Sequence, residues 1–298
     1  MTPLPDGPDK VHWLRSTPFF LMHAVCLLAF WLGVSWAALA VCVFLYWIRM
    51  FGITAGYHRY FSHASFKTGR AFQFVLALLG SMAMQKGPLW WAAHHRHHHA
   101  NSDEEDDIHS PIRRGFWWSH MGWFLCVKYD ETRWNLVQNL ARYRELRWLN
   151  KNHPVPGLAL GVAVYLFGWY AETRFPEWGA TRWQMLLWGW LISTVLLYHG
   201  TFAINSLAHV FGDQRYPTRD GSRNNPLLAV ITLGEGWHNN HHFAPSSVRM
   251  GFRWWEIDQS YYVLKGLGWL GVVWDLRSPP ARAAATRAPN TQTATQAE

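Results

Sequence analysis

The sequence predicts an all-α integral membrane protein, with four transmembrane helices in two hairpins and a helical cytosolic cap holding a histidine-rich dimetal site. Three observations carry that prediction. Residues 16–48 contain no Asp, Glu, Lys or Arg. Two further charge-free runs cover 154–171 and 183–212. Residues 94–99 read His-His-Arg-His-His-His. A helix crosses the apolar core of a bilayer in about 20 residues, so the first run is long enough for two spans.

Composition agrees. Half of the 298 residues are apolar and 15% are charged, against about a quarter charged in soluble domains. The mean hydropathy is only −0.12, because the scale counts Trp and His as polar and the chain has 21 and 17 of them. Trp favours the membrane interface, where an apolar ring meets water at one edge. The net charge of +8 suits an anionic membrane surface or an anionic substrate. No zinc-finger or RNA-binding signature accompanies it, so no nucleic acid partner is expected. Cys26, Cys42 and Cys126 show no disulfide spacing and read as packing residues.

Taken in order, residues 1–17 form a short polar segment, expected in the cytosol. Spans follow near 18–34 and 36–57, broken around Gly33–Val34–Ser35. Arg49, then Gly52 and Gly56, mark where the second helix leaves the membrane. Residues 71–85 are charge-free but shorter than a span, so an interfacial or buried helix is expected. Gly87–Pro88 leads into the histidine run, an acidic turn follows at Asp103–Asp107, and 142–152 (RYRELRWLNKN) is strongly basic. A second hairpin has spans near 155–171 and 183–206. The expected membrane domain is thus 18–278, with its cap formed by 58–153 and 207–278. Lys and Arg gather in the N-terminus, the middle segment and the C-terminal third, which puts both termini and the cap in the cytoplasm. From Pro279 the Ala/Thr/Pro/Gln-rich end (279–298) reads as a disordered tail.

Four histidine-bearing segments share that side. His58 and His63 follow the second span, and His209 ends the fourth. His95, His98 and His99 stand at i, i+3, i+4, as do His238, His241 and His242. Residues three and four apart share a helix face, so each set can aim its rings at one place. His94 and His97 fall toward the other side. A water-facing histidine run, as in a tag, explains one such segment but not four. Clustering nine imidazoles without metal would leave many donors and acceptors unmatched. Nine suit two ions better than one tetrahedral structural zinc. Imidazole binds iron, zinc, copper and nickel alike, so ligand type leaves the metal open. Metal-bound imidazoles commonly donate their free N–H to a carboxylate, which makes Asp103 and Asp107 candidates. Glu104 and Glu105 read equally as a solvated loop. Asn205, four residues before His209 on the same face, can hold a metal-bound water or a helix–helix hydrogen bond.

The stretches GITAGYHRYFSH (52–63), HRHHH (95–99), RRGFWWSHMGW (113–123), NSLAH (205–209) and GEGWHNNHH (234–242) resemble the membrane-bound fatty acyl-CoA desaturases of the stearoyl-CoA delta-9 type. The resemblance runs from about residue 40 to 260. It implies a di-iron centre held by His58, His63, His95, His98, His99, His209, His238, His241 and His242, with Asn205 acting through water. It implies an oxidoreductase of fatty acid biosynthesis that uses O2 and two external electrons. Two hydrogens leave adjacent methylenes of a long-chain saturated acyl-CoA, a cis double bond forms, and water is the by-product. No haem or ferredoxin-like module is present, so a separate donor is implied, such as ferredoxin or cytochrome b5 with its reductase. The expected location is a bacterial inner membrane. Where animal acyl-CoA members carry Arg-Asp before the second motif, this chain has Ala93 and His94, and Ile108 replaces a Pro. A phospholipid- or carrier-bound acyl chain therefore stands as an alternative. Lys128, Arg142, Arg144 and Arg147 are candidates for the head group, with membrane-surface contact as the other reading. Chain length is expected to be read around 42–51. The competing functions are a related di-iron lipid hydroxylase or alkane monooxygenase and, outside enzymes, a metal transporter or sensor.

Overall fold

The computed structural model describes residues 9–281 and 283. Most of the expected tail and the first eight residues lie outside the described part. The regular structure of the described chain is helical apart from three isolated bridges and one two-stranded ribbon, in which β1 (Lys67–Thr68) pairs antiparallel with β2 (Val273–Trp274).

Four helices are long and apolar enough to cross a membrane: α1 (Trp13–Leu32), α2 (Trp36–Ser62), α6 (Pro154–Arg174) and α7 (Arg182–His209). Between the pairs lie α3 (Arg70–Met82), α4 (Pro88–Asn101) and α5 (Arg144–Lys151). After α7 come α8 (His238–Phe243) and α9 (Gln259–Trp269). Local signals explain the boundaries. Ser35 caps α2 by accepting from the Ala38 N–H, Pro88 and Pro154 sit in the first turns of α4 and α6, and Thr181 and Gln184 close a reciprocal capping box at the start of α7. The charge-free stretch after residue 70 is α3, which packs against α2 and α6 rather than crossing.

Arg49 of α2 lies inside the protein. The side chain is 1% exposed and its guanidinium donates to the Ser193 and Thr194 hydroxyls of α7, both at 2.6 Å, and to the Leu45 carbonyl. Those hydroxyls can accept because each also donates to a carbonyl one turn back. The charge that interrupts the apolar run is thus buried among hydroxyls and carbonyls that tie α2 to α7, and α2 runs on past it to Ser62. Thr194→Val leaves one guanidinium N–H without its acceptor, and about 1–3 kcal/mol of stability is expected to go. Thermal unfolding in detergent reads that loss.

The outer faces of the long helices stay apolar, as lipid contact requires. Trp13, Phe30, Trp31, Trp36, Val43, Phe44 and Leu166 are all exposed. The main core lies where α2, α3 and α4 meet, around Tyr57, Phe61, Leu76, Leu89 and Leu146. It sits beneath the ends of α2 and α7, where the histidines converge.

Candidate metal centre

Each histidine segment reaches the centre by its own local device. In α2 the last stretch, Gly52–Ser62, is wound wider than an α-helix. The His63 N–H donates to the His58 carbonyl five residues back, at 3.2 Å. One wide turn thus separates the two residues and brings both rings to one face, 4.9 Å apart. Such wide turns are rare and favour functional sites. On α4, His95, His98 and His99 face the centre. His94 turns away to stack on Trp90, and His97 meets the Asp106 carbonyl at 2.9 Å. His209 rides on a tighter final turn of α7, Leu207–His209.

α8 carries His238, His241 and His242, and two glycines let it dock. Gly234 has φ +118, and a Cβ there would lie 2.4 Å from Asp258 Oδ1. A Cβ on Gly236 would lie 2.1 Å from the Ala229 nitrogen. Gly236→Ala must displace backbone, and loss of α8 packing and of bound metal is expected, read as metal content per purified chain.

The nine histidines fall into two adjoining sets. His58, His63, His95, His99 and His241 form one; His98, His209, His238 and His242 form the other. Within each set the ligand nitrogens lie within 4.8 Å of one another. Rings of the two sets touch across the boundary, with His99 and His242 stacked at 4.5 Å and His98 and His99 edge to face at 5.6 Å. The sequence alone had not divided them.

The nitrogens present fit bound cations. Nε2 faces Nε2 in the pairs His58–His241 at 3.0 Å, His63–His95 at 2.8 Å, His99–His241 at 2.9 Å and His209–His238 at 3.0 Å. A neutral imidazole carries one N–H, so converging nitrogens cannot all be satisfied by one another. The buried His238 Nδ1, His241 Nδ1 and His242 Nε2 have no hydrogen-bond partner. Burial, then the neighbouring imidazoles, drives His63, His95, His99, His238 and His241 well below the usual histidine range. Their rings are therefore neutral, the form that ligates metal.

Carboxylates hold four of the rings from behind. Nδ1 of His98 meets Asp107 at 3.0 Å, His209 meets Asp103 at 2.9 Å and His242 meets Asp220 at 2.6 Å. His58 Nδ1 meets Glu235, which also pairs with Arg59. An Nδ1–H given to a carboxylate leaves the Nε2 lone pair free to point inward. Burial opposes ionisation of Asp103, yet the His209 ring and the Ser110 hydroxyl hold its carboxyl down at about 2. Asp107 and Asp220, also buried, are held below the usual carboxylate range mainly by His98 and His242. Glu104 and Glu105 are exposed. Asp103 and Asp107 were anticipated from position. Asp220 and Glu235 were missed: Glu235 sits inside GEGWHNNHH, whereas nothing around Asp220 marks it.

A cavity of about 560 Å³ lies against this centre, with His95, His109 and Asn205 among its lining residues. Trp91, Trp123, Phe124, Phe202 and Tyr198 supply apolar wall. Asn205 thus faces the cavity beside the metal set. His109, also unforeseen, stacks on His98 at 4.3 Å. None of residues 42–51 lines the cavity, contrary to expectation, because side chains there such as Arg49, Met50 and Phe51 pack into the α2–α3–α7 interior. Lys128, Arg142, Arg144 and Arg147 do not line it either. Lys128 pairs with Asp9 at 3.3 Å, Arg142 covers the Tyr143 ring, and Arg144 and Arg147 are exposed.

The profile of the family described as fatty acid desaturase matches residues 34–272. An sn-2 palmitoyl-lipid 9-desaturase of Nostoc sp. (strain 36) is 33% identical over 95% of this chain and 96% of its own. An acyl-CoA 5-desaturase of Anemone leveillei is 35% identical over 93% and 86%. A chloroplastic palmitoyl-monogalactosyldiacylglycerol delta-7 desaturase of Arabidopsis thaliana is 37% identical over 87% and 67%.

Proposed function

Since the chain belongs to the fatty acid desaturase family, it is a membrane oxidoreductase that introduces double bonds, and we propose that it places a cis double bond at C9 of a long saturated acyl chain. The chain is carried on coenzyme A or esterified in lipid. The balanced change is –CH2–CH2– with O2, two electrons and two protons, giving –CH=CH– and two waters. The electrons come from a separate carrier protein. Two iron ions, bound by the nine histidines, supply the O2 chemistry that an unactivated C–H bond demands. The centre faces the cytoplasm, with Asn205 holding a water beside it.

The observation that carries this reading is the cavity that brings an apolar channel to the edge of a five-plus-four imidazole cluster. A metal transporter predicts ligands strung along a path through the spans, whereas these gather in two adjoining sets at the helix ends, with His95 on the wall of a largely apolar cavity. The protein's own contribution is positioning. Trp91, Phe202 and Tyr198 fix the acyl chain and keep bulk water from the reacting carbons. Asp103, Asp107, Asp220 and Glu235 fix the ring tautomers and aim.

Expression of the full chain in a bacterial host, with fatty acid profiling by mass spectrometry, tests it. The expected product is an O2-dependent cis-9 monoene. An alcohol in its place identifies a hydroxylase, and a double bond elsewhere overturns the C9 assignment alone.

A further inference from the structure

The two histidine sets adjoin but differ in the charge around them. Behind the four-histidine set stand three carboxylates, Asp103 on His209, Asp107 on His98 and Asp220 on His242. Among the described residues none of the three is paired with a Lys or Arg side chain. Their other partners are neutral. Asp103 accepts from the Ser110 hydroxyl at 2.5 Å and from the Gly221 N–H at 2.8 Å. Asp107 accepts from the backbone N–H groups of Asp103 and His109, and Asp220 from that of Ser222. Arg113, exposed at the surface, reaches the Asp103 backbone carbonyl and not its carboxylate. Three of the four rings therefore carry an uncompensated negative charge on their far nitrogen.

The five-histidine set has one carboxylate directly behind it, Glu235 on His58, and that one is matched. Arg59 donates to Glu235 at 3.1 Å and to Asp258 at 2.9 Å, and all three are buried. A second guanidinium belongs to Arg96, the one residue of the 94–99 run that is not histidine. It donates to the Phe61 and Ser62 carbonyls at 2.6 and 3.0 Å, directly before His63, and to the Leu136 carbonyl and the Asn139 side chain. All of its partners are neutral. Two carboxylates thus meet two guanidiniums at this set.

A carboxylate that takes the far N–H of a ligating imidazole makes the ring a more basic ligand. A nearby negative charge also favours the more highly charged ion by simple Coulomb attraction, and buried charges are screened little by salt. Both effects hold iron in its ferric form, and net charge with ligand hydrogen bonding sets the potential of an iron site. One such carboxylate is typically worth about 10–100-fold in metal affinity or activity, and three act on the same set here.

We propose that Asp103, Asp107 and Asp220 make the two irons unequal, so that the first electron from the carrier protein settles on the ion of the five-histidine set and the second on the ion of the four-histidine set. Each arrival turns one ferric ion ferrous and oxidises the carrier by one electron, and the pair supplies the two electrons that the reaction consumes. This rests on the di-iron reading of the site and adds the order in which it is charged. The three aspartates and Arg96 touch no substrate. They are positioning residues that act through the ligands.

The test reads oxidation states rather than product. The full chain is purified in detergent with iron enriched in its Mössbauer isotope, the iron per chain is counted, and dithionite is added stepwise while spectra count ferric and ferrous ions. Two separate steps are expected, with nearly every molecule holding one ion of each kind at half-reduction. Equal and independent ions leave only half of the molecules mixed, and a joint two-electron step leaves none. Either result in protein with two irons overturns the proposal and leaves the di-iron reading intact. Fewer than two irons in protein that makes double bonds removes that reading as well.

Asp103→Asn assigns the steps. Its amide N–H2 can face Ser110, whose hydroxyl turns to accept, while its oxygen keeps the His209 and Gly221 donors. The charge goes and the hydrogen bonds stay. The second step is expected to become easier by about tenfold or more in its equilibrium constant, with the first moving much less. A larger shift in the first step, or none in either, overturns the proposal. Should this variant hold fewer than two irons, Arg96→Gln and Arg96→Lys decide: losing the charge makes the first step harder, and lysine restores it. A first step unmoved in Arg96→Gln, moved less than the second, or moved alike in both Arg96 variants overturns the proposal.

Discussion

Alanine at His98 or at His241 abolishes desaturation while the protein still inserts and accumulates. The two positions probe the two sets separately. His241 stands at the crossing point of the five-histidine set, its Nε2 3.0 Å from that of His58 and 2.9 Å from that of His99. His98 belongs to the four-histidine set and is anchored through Nδ1 to Asp107. Removing either ring leaves a buried gap among neutral imidazoles, with no other side chain of the set long enough to refill it. The bound metal is expected to fall from two ions per chain toward one in each variant. Because the reaction needs both, product falls below detection in both. Fatty acid profiling together with elemental analysis of the purified variants reads the two effects. Full activity in both variants would reject these histidines as ligands.

Glu235→Gln is the second large expected effect. The Glu235 carboxylate accepts from His58 Nδ1 and from Arg59 at 3.1 Å, and the residue is 6% exposed. Gln keeps the size but has one acceptor oxygen where the carboxylate has two, and its amide N–H2 must face one of two donors. His58 then loses its fixed tautomer or Arg59 loses a partner. Replacing the carboxylate behind a ligating histidine typically costs about 10–100-fold in metal affinity or activity, and that range is expected in the desaturation rate. Stability should suffer less than the ~3–5 kcal/mol of a fully orphaned buried charge, because Asp258 still holds Arg59 at 2.9 Å. Rate and thermal midpoint measured on the same preparation separate the two effects. A rate equal to the parent's would mean that Glu235 serves Arg59 and not the centre.

The parts of the fold legible in the sequence were those with strong one-dimensional signals. Long charge-free runs mark lipid-facing helices because no charged group is cheap there, and the break at Gly33–Val34–Ser35 is visible because Ser35 is a good cap. Repeated i, i+3, i+4 spacing marks α4 and α8 because it puts three rings on one face. His58 and His63 were harder, since five residues on an ordinary helix do not share a face. They do so here through the wide winding of Gly52–Ser62, which no residue type announces. Asp220 was invisible because it reaches His242 across a turn that only the folded chain closes. Arg49 reads in the sequence only as a charge that interrupts an apolar helix. Two hydroxyls on α7 make it an interior tie, and their pairing with α2 is a tertiary fact. The cavity was beyond reach for the same reason, being assembled from α1, α4, α6, α7 and the 123–130 stretch.

The proposed centre is two iron ions held by five and four imidazoles beside the cavity. Anomalous diffraction from crystals of the full chain, recorded above and below the iron absorption edge, tests that claim most directly. Two iron peaks are expected, one among His58, His63, His95, His99 and His241 and one among His98, His209, His238 and His242. A single peak, a signal at the zinc edge only, or rings bound to no metal in protein that is actively making double bonds would contradict it.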